Sequence, residues 1–173
     1  SDAVDPARPL AGLRVFDFSS YWAGPYAAQI LGFLGADVIK VESVQRPDGT
    51  RMGTAYSSVG DRPWELAPLF HGANTNKRDV VLELGTPQGR QAALDLIAIS
   101  DLVVENFSPR VMGNFDLGWD VVHAVNPRAT MVRMPAFGLD GPWRDRVGFA
   151  QTMEQASGMA WMTGAADGPP LIP

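Results

Sequence analysis

The sequence predicts an α/β fold, a doubly wound and mainly parallel sheet, from three observations. Short runs rich in Val, Ile and Leu recur along the chain, bounded by Gly, Pro, Ser or Asp. Segments with helix start and stop residues separate them, and strands joined through helices pair in parallel. The 173 residues are 46% hydrophobic and 19% charged, enough for one domain with a core of its own.

The first run, Leu13 to Phe18, lies between Gly12 and Ser19-Ser20 and reads as a strand. Ala27 to Leu34 follows as a helix, with Pro25 near its first turn and Gly35 closing it. Asp37 to Glu42 is a second strand. From Ser43 to about Asn76 the chain is rich in Gly, Pro, Ser and Asp, a long irregular excursion of the kind that carries function. Asp79 to Leu84 is a third strand. Thr86 as N-cap and Pro87 at the first helical position open an amphipathic helix through Ile99. Its Ala92, Leu94, Leu96 and Ile97 face inward, leaving Gln91 and Asp95 to solvent. Asp101 to Glu105 is a fourth strand, and short helices fit Pro109–Met112 and Asp120–Val125. A fifth strand, Ala129 to Met134, and a helix from Gln151 to Trp161 complete the pattern.

Composition excludes several functions. A net charge of −5 without a basic stripe speaks against nucleic acid. With no Cys, there is no disulfide, thiolate nucleophile or Cys-ligated metal; His71 and His123 are far apart and read as surface or packing residues, so no metal site is expected. The start, Ser1 to Pro6, has no basic or apolar region of a secretion signal, and no apolar stretch nears the roughly 20 residues of a membrane helix. A cytoplasmic protein without membrane contact is expected. The ending Asp167-Gly168-Pro169-Pro170-Leu171-Ile172-Pro173 reads as a turn entering a new apolar segment, as though cut there.

Ligands of an open parallel sheet bind beyond the C-terminal ends of its strands. That rule selects Ser19–Pro25, Val41–Ser43, Glu105–Ser108 and Pro135–Asp140. A dinucleotide would need G-x-G-x-x-G in the first turn, which holds only Gly24, and the P-loop Gly-Lys-Ser/Thr is missing, so NAD and nucleoside triphosphates are set aside. Tyr21 and Trp22 before the small-residue turn either plug the core or offer a surface on which a flat ring stacks. Asn106-Phe107-Ser108-Pro109 repeats that design. Lys77-Arg78 could neutralise phosphates or stand as a solvated basic pair.

An ordered set of segments then resembles a known family. These are Pro9 to Asp17, Ala23-Gly24-Pro25, Leu34 to Glu42, Asn76-Lys77-Arg78, Thr86 to Arg90, Asp101 to Phe107, Asn126-Pro127-Arg128, Phe137 to Pro142 and Asp167 to Pro170. In order and approximate spacing they resemble the family III CoA-transferases, the CaiB/BaiF type that includes formyl-CoA transferase. The resemblance implies a Rossmann-like large domain, of which residues 9–173 form the N-terminal portion behind a tail of residues 1–8. It further implies an interlocked homodimer, coenzyme A bound as acyl-CoA, and a carboxylic acid as acceptor. The family's chemistry runs through an acyl-aspartyl anhydride. The nucleophilic Asp is expected after Pro173; Asp167 precedes the Gly-Pro-Pro turn and does not take that role. CoA-contacting positions carry over to Trp22, Ala23, Asn106, Phe107 and, on the strand lining the adenine pocket, Leu82. Ser43 and Asn114 stand where a basic residue often meets phosphate, with Arg46 or Arg51 nearby to compensate.

The related α-methylacyl-CoA racemases use a His-Asp pair in the segment matching Gly148 to Gln151. No His is present there, so the sequence leans to transferase over racemase; the family's usual Asp is also missing at Ala150, which leaves the substrate open. Two further readings are a non-catalytic piece that completes a split or nicked enzyme, and a plain nucleotide-binding module.

Overall fold

A computed structural model describes residues 5–52 and 60–171. Five strands form one sheet: β1 (Arg14–Asp17), β2 (Asp37–Glu42), β3 (Arg78–Val81), β4 (Leu102–Glu105) and β5 (Thr130–Arg133). Their order is β3-β2-β1-β4-β5 and every pairing is parallel. The connection reverses direction between β1 and β4, so the carboxyl ends of these central strands form a topological switch point.

Side chains alternate across the sheet and bury both faces. Val15 of β1, Val38 of β2 and Val104 of β4 pack with Ala28 and Leu31 of α1 (Ala23–Phe33). On the other face Phe16, Ile39, Val41 and Val103 pack with Ala93 and Ile97 of a later helix, Pro87–Ala98, and with Met112, Leu117 and Val122. A doubly wound sheet follows from that two-sided burial.

The Ser43–Asn76 excursion is more ordered than its composition suggests. It holds α2 (Gly49–Met52), a 3-10 turn (Pro63–Leu66) and α3 (Pro68–Asn74); its residues 53–59 lie outside the described residues. Pro68 opens α3 and the spacing of Phe70 and Ala73 buries one side of it. Then come the Pro87–Ala98 helix, α4, and α5 (Val111–Asn114) and α6 (Trp119–Val125). α1 begins four residues before the expected Ala27, which places Pro25 at its third position.

Residues from Ser1 to Met134 form one compact unit and Pro135–Pro173 a second. In the second, the helix expected from Gln151 to Trp161 is two helices, α7 (Ala150–Ala156) and α8 (Met159–Met162). Gly158 takes φ +80°, a left-handed conformation that ends α7 and cannot continue an α-helix. Among the described residues, no helix is long and apolar enough to cross a membrane.

Candidate functional site

A cavity of about 510 Å³ opens at the carboxyl ends of the strands in the first unit. Its apolar wall includes Phe18, Leu82, Leu84, Phe107, Val111 and Phe115, and its polar rim includes Ser19, Ser20, Ser43, Gln45 and Asn114. Charged residues also line it: Lys40, Glu42, Arg46, Asp48 and Glu83.

Four of the site residues expected from sequence, Ser43, Leu82, Phe107 and Asn114, come together in this lining. The other three lie on the loop that follows β1 or hold it. Trp22 is half-exposed at the N-cap of α1 and stacks on Tyr26, ring centroids 5.9 Å apart. Ala23 is the exposed first residue of α1. Asn106 grips the loop by two bonds, its Oδ1 accepting from the Ser20 amide at 2.8 Å and its Nδ2 donating to the Ser20 carbonyl at 2.8 Å. The Pro135–Asp140 segment belongs to the second unit.

Beneath that loop lies a layer of buried charge. Period-two alternation puts Asp17 on the same face as Val15, and Lys40 and Glu42 on the same face as Val38, so apolar packing gives way to ions toward the strand ends. Lys40 is 1% exposed in the middle of β2, where a parallel strand is ordinarily apolar. Its ammonium donates to the Ser19 carbonyl at 2.8 Å and pairs with Asp48 at 3.1 Å. Asp17 accepts from Lys77 at 2.8 Å and from both the amide and the hydroxyl of Ser19. Lys77 also donates to the Pro25 carbonyl and to Asn74 Oδ1, each at 2.8 Å. Asp48 in turn accepts from the Tyr21 amide at 3.2 Å and from Thr50.

The loop backbone is therefore held at Ser19, Ser20, Tyr21 and Pro25, which sustains the left-handed φ of +67° at Tyr21. Gly24 is required by contact: a Cβ there would sit 2.2 Å from Ser19 Cβ and 3.2 Å from Asn106 Cγ. Lys77 and Arg78 thus do not act as a pair: the first is buried and the second largely exposed. Lys77 is spent on Asp17, while Arg78 pairs with Asp37 at the other end of the sheet.

Arg51 closes the outer side of the layer. Its guanidinium binds Glu42 at 2.7 Å, reaches Asp79 and Glu65 at 3.3 Å each, and lies 3.4 Å from the centroid of Phe70. Burial raises the affinity of Glu42 for a proton, yet hydrogen bonds from Arg51, Asp79 and the Asp48 amide, with the charge of Arg51, hold its carboxyl below the ordinary value. Burial likewise opposes ionisation of Asp48, and Lys40 and Thr50 overcome it, leaving that carboxyl lowered. Asp79 goes the other way. Desolvation and the adjacent Glu42 carboxylate push it up to about 7.

Lys40 is a support of the site that reading for strand ends misses, although one local signal points to it. A lysine inside the apolar run Val38-Ile39-Lys40-Val41 must be buried and must find an anion. Among the described residues, no group of His, Asp or Glu could hold a metal ion.

Comparison with known proteins fits this arrangement. The model of CoA-transferase family III matches residues 10–173. The chain is 39% identical over 172 residues to the succinyl-CoA–L-malate CoA-transferase beta subunit of Chloroflexus aurantiacus, covering 99% of this chain and 41% of that protein. It is 34% identical to the succinate–glutarate CoA-transferase of Agrobacterium fabrum, covering 99% of this chain and 43% of the relative. The chain thus spans about two fifths of the length of these relatives. Among solved structures, a CaiB/BaiF family protein from Brucella suis superposes with a TM-score of 0.86 at 34% identity, over 95% of this chain and 43% of the other. A hypothetical protein from Mycobacterium tuberculosis gives 0.83 at 36% identity, over 98% and 45%. With its parallel sheet, its strand-end cavity and a family match over nearly its whole length, this chain belongs to CoA-transferase family III.

Proposed function

We propose that the strand-end cavity binds coenzyme A, and that the chain is the N-terminal, CoA-binding portion of the large domain of an acyl-CoA:carboxylate CoA-transferase. The observation that carries this reading is the convergence of Ser43, Leu82, Phe107 and Asn114, on three different loops or strand ends and one helix, in a single cavity. Apolar walls suit the adenine and pantetheine, and a polar rim suits phosphates and amides. Trp22, Ala23 and Asn106 shape the adjoining loop, whose fixed backbone presents its polar groups at low entropic cost.

In this reading an Asp beyond Pro173 attacks the thioester carbonyl of acyl-CoA. The C–S bond breaks, the thiolate leaves with the electron pair, and an acyl-aspartyl anhydride remains. The carboxylic acid acceptor then takes over the CoA through further anhydride and thioester exchanges. Every linkage stays activated, so no nucleotide energy, NAD or metal is called for. The relatives' names, which pair a succinyl-CoA or formyl-CoA with a carboxylic acid, support acyl-CoA and a carboxylate as the two substrates. Trp22, Tyr26, Ile30 and Phe33 leave one side of α1 apolar and half-exposed, which supports a further protein surface laid over it in an interlocked homodimer. The location we assign is the cytoplasm.

Calorimetric titration with CoA tests the reading, on a sample whose fold is verified by circular dichroism. Saturable binding without transfer activity is expected. Asn114→Asp, an isosteric change at an exposed position that adds a negative charge to the rim, should weaken CoA by about tenfold at low salt. A folded chain that gives no heat with CoA overturns the proposal.

A further inference from the structure

Five charged side chains line the cavity, and their partners sort them. Lys40 and Asp48 are paired with each other, at 2% and 1% side-chain exposure. Glu42 is neutralised by Arg51, which is itself committed to two more carboxylates and a ring. That leaves Arg46 and Glu83. The Glu83 carboxylate accepts the Ser43 hydroxyl at 3.0 Å, and the same Ser43 oxygen accepts the Gln45 amide at 3.1 Å. Ser43 is thereby satisfied and turned toward a negative charge, an unsuitable place for phosphate. Arg46 is exposed at the rim, and its guanidinium has no hydrogen bond or ion pair among the described residues.

We infer that Arg46 is the residue through which this chain recognises the 3′-phosphate of coenzyme A, with Glu83 directing the phosphate away from Ser43. The inference rests on the cavity being the CoA site. The charge arithmetic decides which phosphate. A phosphomonoester is close to a dianion at neutral pH and offers three oxygens to the planar guanidinium fork, whereas each diphosphate unit carries one charge. The only uncommitted cation of the lining, among the described residues, therefore gains most from the monoester. Its exposure also keeps the arginine solvated until the ligand arrives, so no buried charge is left behind in the empty site.

The test titrates CoA and dephospho-CoA, which lacks only the 3′-phosphate, into the chain and into Arg46→Ala. An exposed rim arginine contributes little to the fold, and circular dichroism verifies that. The unchanged chain should prefer CoA by about tenfold at low salt, and added salt should shrink the preference. R46A should bind the two ligands alike, with dephospho-CoA affinity unchanged. R46K should keep part of the preference, since a point charge replaces a fork. If R46A retains the preference, the inference is wrong. If R46A weakens both ligands equally, Arg46 meets the diphosphate and the inference is again wrong. A folded chain that binds neither ligand overturns the CoA reading of the cavity, and this inference with it; one that binds both with equal affinity overturns the inference alone.

Discussion

Lys40 and Lys77 carry their charges into a layer almost closed to water, and each is answered by a carboxylate within ion-pair distance. Such a pair is costly to build and more costly to break, because removing one member strands the other. Burial lowers the Lys77 pKa, against the opposing pull of Asp17, so the ammonium is held there by its three acceptors rather than by solvent. Lys77→Met should therefore destabilise the fold by about 3–5 kcal/mol in urea unfolding, since Asp17 is left buried and unpaired. The double variant D17N/K77M should recover part of that loss. Equal stability of K77M and the unchanged chain would show that water reaches Asp17. Because Lys77 also donates to the Pro25 carbonyl, K77M should loosen the loop before α1, visible as faster amide exchange at Ser20 and Tyr21.

At the scale of elements, α4 shows how a capping signal ties a helix to the site. The Thr86 hydroxyl accepts from the Gly89 amide at 3.1 Å, and a Cβ on Gly89 would sit 2.0 Å from the Glu83 carbonyl oxygen. Thr86→Ala should cost about 1 kcal/mol of stability and leave CoA affinity unchanged. Gly89→Ala should cost more and weaken CoA as well, because the turn holding Glu83 at the cavity must move. Parallel melts and titrations of the two variants separate capping from close approach. This helix was legible in the sequence because its signals are local: Thr, then Pro, then an apolar stripe. β2 was legible to the residue for the same reason, bounded by Ala36 and Ser43. α3 was not, since Phe70 and Ala73 stabilise it through tertiary burial that no local pattern announces. The α7–α8 break turns on the backbone of Gly158, tolerated inside many helices and left-handed in this one. The cavity was legible as a set of strand ends. What stayed hidden was which polar groups were already taken, as Arg51, Lys77 and Asn106 are.

For the whole molecule, these ion pairs set the response to pH. Asp37, Glu42 and Asp48 have carboxyls held below their ordinary values, so the stability they contribute is present above about pH 4 and is lost as pH falls through the folded values. Asp79 has the opposite sign. Its folded value, raised to about 7 from an ordinary 3.8, means that the folded protein holds a proton the unfolded chain releases. Its effect is absent below the ordinary value, grows as pH rises and is complete above about 7, always against the fold. The groups facing it are Glu42, which repels, and Lys40 and Arg51, which offset part of that repulsion. The side chain is 38% exposed, so solvent and salt reduce the amplitude. Stability should thus peak in mildly acid solution, fall steeply on further acidification, and decline gently toward neutrality. Melting temperatures recorded from pH 3 to pH 8 check this, together with Asp79→Asn. The asparagine keeps the shape and cannot ionise, so D79N should remove the decline toward neutrality while preserving the acid limb. A decline that persists in D79N would assign it to another group and leave the Glu42–Asp79 pair without a role in stability.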